Sequence, residues 1–174
     1  KPERAAAAVL ALKTVPVTPP INSCEKKVQE WIHRNISDRS RTELLFKIAK
    51  GDKTPCQVDV VVKMLIRDGV DVDAKDKFKM TALHWTVYIG YKQMVVQLIG
   101  VGADVSAKNV YEETPLHLAA RNARSDIVKL LCKRGADAYA ENSNGRTALH
   151  LAAKKGYADV VNVLCEYSLN NECE

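Results

Sequence analysis

Thr81-Ala82-Leu83-His84, Thr114-Pro115-Leu116-His117 and Thr147-Ala148-Leu149-His150 are three copies of one motif, each beginning 33 residues after the last. A second marker keeps the same interval. Gly69, Gly102 and Gly135 are followed by Val70-Asp71, Ala103-Asp104 and Ala136-Asp137. Two unrelated markers on one period identify an internal repeat.

The chemistry of one unit predicts its shape. Thr114 is a good N-cap and Pro115 suits the first helical position, where no backbone donor is needed. Leu116, Leu118, Ala119 and Ala120 then form a short helix whose small residues admit a close neighbour. A second helix over 126–133 carries Ile127, Val128, Leu130, Leu131 and Cys132, and Gly135 ends it. Helices this short are marginal alone, so their apolar faces are buried only when successive units stack.

The motif, its period and this pair of helices resemble the ankyrin repeat, a β-turn followed by two antiparallel helices. The resemblance implies an all-α solenoid of about four helix-turn-helix units with β-turn tips, here with an N-terminal capping helix. The repeats are placed at about 42–75, 76–108, 109–141 and 142–174. It also implies that His84, His117 and His150 each tie the threonine three residues earlier to the turn. Stacked units would hold these imidazoles roughly 10 Å apart, too far to share one zinc ion at bond lengths of about 2.1 Å. No metal or other cofactor is expected.

Outside the repeats, residues 1–21 read as an alanine-rich arm ending in the proline-rich Val15–Pro20 linker. Residues 22–41 hold the capping helix, with Asn22 and Glu25 in a capping-box arrangement and Trp31 as its anchor on the first repeat. The first repeat diverges: Leu45–Ala49 matches a first helix with Phe46 in the histidine slot, and about five extra residues fall within Gly51–Asp59. In the third repeat Ala123 stands where its neighbours have Gly90 and Gly156, a position expected to need positive φ. After Cys165, Glu166–Asn170 replaces the Gly-Ala-Asp turn.

Composition narrows the function classes. The longest apolar run, Ala5–Leu12, is far below the roughly 20 residues of a membrane span, and it reads as part of the arm rather than as a signal peptide. Five cysteines lack paired spacing, and Cys132 and Cys165, in one slot of successive repeats, read as small core residues. That usage points to the reducing cytoplasm or nucleus. The net charge of +5 comes mostly from residues 1–41, with eight Lys or Arg against four acids, whereas 42–174 hold eighteen against seventeen. Near-neutral repeats argue against direct nucleic-acid binding. No phosphate-cradling loop or Cys/His cluster is present, and Asp71, Asp104 and Asp137 read as turn formers, so no enzyme activity is expected.

The resemblance places function on the turn tips and the outward side of the first helices, along one concave surface. The tips would be Asp76–Met80, Asn109–Glu113 and Asn142–Arg146. The outward helix slots would be Trp85, Tyr88 and Ile89, then Leu118, Arg121 and Asn122, then Leu151, Lys154 and Lys155. The partner-binding residues expected on this surface are Lys77, Phe78, Lys79, Met80, Trp85, Tyr88, Ile89, Tyr111, Glu112, Arg121, Arg146, Lys154 and Lys155. An aromatic end grades into a basic end, suited to a partner protein with apolar anchors and some acidic residues. Two other settings are open: a regulatory or targeting domain of a larger enzyme or channel, and a transcriptional co-regulator subunit that docks a DNA-binding protein. For the latter, Lys79–Trp85 is similar to a stretch of one such co-regulator in the family.

Overall fold

A computed structural model describes residues 38–51, 62 and 65–171, with side chains over 42–51, 62 and 65–168. The described residues hold helices and turns and no strand. The helices are α1 (Asp38–Ala49), α2 (Ala82–Ile89), α3 (Lys92–Gly100), α4 (Pro115–Arg121), α5 (Ser125–Lys133), α6 (Ala148–Lys155) and α7 (Ala158–Asn171). Val62 and residues 65–67 are also helical. The all-α solenoid that the resemblance implies is therefore the fold. The arm, the expected capping helix with Trp31 and the extra residues after Gly51 lie outside the described residues, which begin at Asp38.

Each helical pair packs on the next. Helices α1, α2, α4 and α6 form one layer in sequence, and α3, α5 and α7 form the other. The continuous core between the layers includes Leu45, Leu83, Leu98, Leu116, Leu131 and Leu164, all enclosed. Phe46 is half-buried, whereas His84 is fully enclosed.

The Thr-x-x-His motif builds both a cap and a bridge. The Thr81 and Thr114 backbone N–H groups donate to Nδ1 of His84 and His117, at 3.2 and 3.1 Å. With Nδ1 accepting, Nε2 carries the proton. Nε2 of His84 donates to the Glu113 carbonyl at 3.1 Å, and that of His117 to the Arg146 carbonyl at 2.9 Å. One imidazole thus closes its own helix and fastens the next repeat's tip. Burial holds His84 neutral, lowering its pKa to about 4, and lowers that of His117 as well. His150 makes the same cap, with Thr147 N–H at 3.2 Å, but is exposed.

The tips repeat atom for atom. Asp76, Asn109 and Asn142 accept through Oδ1 from backbone N–H groups two and four residues on, at 2.8–3.1 Å. Asp71, Asp104 and Asp137 likewise accept from residues two on, at 2.8–2.9 Å, the turn-forming role their sequence position implies. Val110 N–H donates to the Phe78 carbonyl at 3.1 Å and Ser143 N–H to the Tyr111 carbonyl at 3.0 Å, stitching neighbouring tips together.

Ala123 has φ +56°, beside +90° at Gly90 and +73° at Gly156, so the left-handed requirement inferred from the repeat alignment holds. An L side chain there costs on the order of 1 kcal/mol relative to glycine. Ala123 is exposed, so its methyl returns little packing. Ala123→Gly is expected to stabilise the chain by up to about 1 kcal/mol; a urea midpoint below that of the wild type would contradict this.

Candidate functional site

The first-helix layer and the tips enclose a groove with two compartments. The first has a volume of about 280 Å³, with walls that include Phe78, Trp85, Tyr88 and Tyr111 and a floor of Met80 and Leu118. The second, about 250 Å³, is lined by Arg146, Lys154, Lys155, Asn142 and Asn144 over Leu151. Glu113 and Arg121 line both, so the compartments are neighbours that meet at this pair.

Trp85 is held by its neighbours. Trp85 Nε1 donates to Asp76 Oδ2 at 3.0 Å, its ring meets that of Tyr88 edge-on at 6.2 Å, and Lys50 Nζ lies 4.5 Å from its ring centroid. Asp76 therefore shapes its own tip and fixes the indole. Phe78, Tyr88 and Tyr111 stay open, Tyr111 being 62% exposed. An indole whose orientation is already fixed, as at Trp85, loses little conformational entropy on contact.

At the junction, Arg121 Nη1 donates to Glu113 Oε1 at 2.8 Å, and the Glu113 carboxylate also accepts from Asn109 Nδ2 at 3.4 Å. The Glu113 side chain is buried, so Arg121 is committed to neutralising it. Arg146, Lys154 and Lys155 have no ion-pair partner among the described residues, and all three are exposed. The second compartment accordingly concentrates positive charge that no ion pair among the described residues offsets.

Several expected positions fall elsewhere. Leu118 and Leu151, assigned to outward helix slots, are 1% and 8% exposed. This slot is the floor beneath the flanking side chains, Arg121 over Leu118 and Lys154 and Lys155 over Leu151. Met80 is likewise buried, its sulfur taking a hydrogen bond from Asn109 Nδ2 at 3.5 Å. Ile89 is exposed but lies toward Gly51, and its carbonyl accepts from Arg124 Nη2 at 2.7 Å. Lys77, Lys79 and Glu112 are exposed at the tips and line neither compartment. Lys77 lies over the Phe78 ring, and Glu112 pairs with Lys108 at 3.7 Å.

The Glu113–Arg121 pair is the feature that residue-by-residue reading missed. The eight-residue spacing puts a tip residue opposite the end of the following helix, a relation visible only once the unit is folded. Cys165 is also a correction to the reading of both cysteines as core. It is exposed, whereas Cys132 is buried and its thiol is pushed up to about 11 by burial. No later repeat among the described residues covers the Cys165 slot.

Among the described residues there is no group of three metal-ligating side chains and no helix long and apolar enough to cross a membrane. A family model described as ankyrin repeats, in three copies, matches residues 45–142 and 90–174. A search of curated proteins gave no match.

Proposed function

Since the chain belongs to the ankyrin-repeat family, whose units are generally protein–protein interaction modules and typically non-catalytic, we propose that its concave groove binds another protein. The observation that carries this reading is the pairing of open aromatic rings with cations that have no ion-pair partner among the described residues, along one groove. Aromatic and arginine side chains are the types that concentrate binding energy at interfaces. A partner with apolar anchors and some acidic residues fits both compartments. The reducing cytoplasm or nucleus is the compartment proposed for it, in keeping with free cysteines at 132 and 165.

The test is a pull-down from cell extract with the wild type beside Trp85→Ala/Tyr88→Ala and Lys154→Glu/Lys155→Glu. One partner should be lost from both variants while each remains folded, as judged by its helical circular dichroism at the assay temperature. Identical partner lists from all three proteins would remove the groove assignment.

A further inference from the structure

We infer that the groove takes an extended peptide in which one aromatic or large aliphatic side chain and one carboxylate are about three residues apart. This rests on the groove being the binding surface. It adds the form of the occupant and the spacing of its two anchors.

Three observations lead to it. The compartments differ in chemistry: rings over Leu118 in one, and Arg146, Lys154 and Lys155 around Leu151 in the other. They belong to successive units, since the floor residues Leu118 and Leu151 are equivalent positions on the packed helices α4 and α6. Packed helices lie roughly 8–10 Å apart, and an extended chain advances about 3.3 Å per residue. One inter-unit step is therefore about three residues of peptide.

The junction fixes which cations count. Arg121 lies between the compartments but is satisfied by the buried Glu113 carboxylate at 2.8 Å. A peptide acid placed there would have to compete with the buried Glu113 carboxylate for a guanidinium that is already paired. Arg146, Lys154 and Lys155, by contrast, repel one another across a small pocket, and an incoming carboxylate relieves that repulsion. The peptide acid thus belongs one step beyond the junction, with neutral residues crossing it.

The experiment titrates fluorescent synthetic peptides with the full chain and reads anisotropy. Each peptide carries one tryptophan and one glutamate separated by about one, three or six residues, in both orders. The three-residue spacing in one order should bind at least about tenfold tighter than the other separations. Exchanging its glutamate for lysine should lose that advantage against the wild type and recover it against Lys154→Glu/Lys155→Glu. Trp85→Ala/Tyr88→Ala should weaken every peptide.

Equal affinity at all separations, or no recovery on charge exchange, would overturn the inference. Binding gained only when phosphoserine replaces the glutamate would overturn the choice of a carboxylate. If no peptide binds while the pull-down partner is still lost from both groove variants, the spacing fails and the interaction groove stands. If that partner is retained by both variants, the groove itself fails.

Discussion

Between pH 6.5 and pH 4 the free energy of unfolding should fall by about 3 kcal/mol through His84 alone. Its titration moves from 6.5 to about 4 in the folded protein because burial disfavours the imidazolium, and each pH unit of displacement corresponds to about 1.4 kcal/mol. The folded state binds fewer protons than the unfolded chain in this window. The stabilisation is therefore complete above the unfolded value of 6.5 and is lost as pH falls toward 4. Protonation would also turn Nδ1 from acceptor to donor opposite the Thr81 N–H, breaking the helix cap.

His117 is displaced the same way for the same reason and adds to the loss. Asp73 acts oppositely: burial raises its pKa, so the carboxyl favours the folded state slightly as it protonates. Urea midpoints measured from pH 7.5 to pH 4 read the sum, with Asp73→Asn and His84→Gln separating the parts. The His84 variant starts from a lower stability at neutral pH, yet its dependence on pH above 5 should be markedly flatter. A wild-type profile that is level across pH 6.5–5 would contradict the assignment of a buried neutral imidazole.

That imidazole also marks where sequence is informative. The 33-residue period exposed much of what recurs at fixed backbone geometry: the caps at Thr81, Thr114 and Thr147, the turns at Asp71, Asp104 and Asp137, and the left-handed slot occupied by Ala123. Such features depend on contacts a few residues apart, which a linear motif encodes directly. Exposure is different, because it depends on what the neighbouring unit covers. Leu118 and Leu151 lie on the outward helix slot yet form a floor, since the tips and the long side chains at 121, 154 and 155 close over them.

The candidate site divides along the same line. Its chemical gradient was legible because aromatic and basic residues sit in different repeats at equivalent slots, and the period aligns them. The junction was not, because Glu113 and Arg121 come together only when the tip folds onto the helix that follows it. This pairing changes which charge is available to a ligand. Counted along the sequence, Arg121 belongs with Arg146, Lys154 and Lys155; once folded it is already neutralised.

Position in the stack should likewise separate mutations that look equivalent. Leu83, Leu116 and Leu149 occupy one slot of the repeated motif, the residue before the histidine. Leu83 and Leu116 are wholly enclosed, each with a following unit packed on its own, whereas Leu149 is only partly buried. Truncating an enclosed leucine removes its transfer energy and leaves a cavity, about 2–5 kcal/mol together. Leu83→Ala and Leu116→Ala should therefore each lower stability by about 3 kcal/mol or more. Leu149→Ala should cost about 1–2 kcal/mol, because its partly wet side chain has less to lose and its site can collapse. In a solenoid, stability is close to a sum of unit and neighbour terms, so the difference reads the neighbour's contribution at this slot. Equal losses at all three positions, measured by urea unfolding at neutral pH, would mean that the slot stabilises its own unit and that stacking adds nothing there.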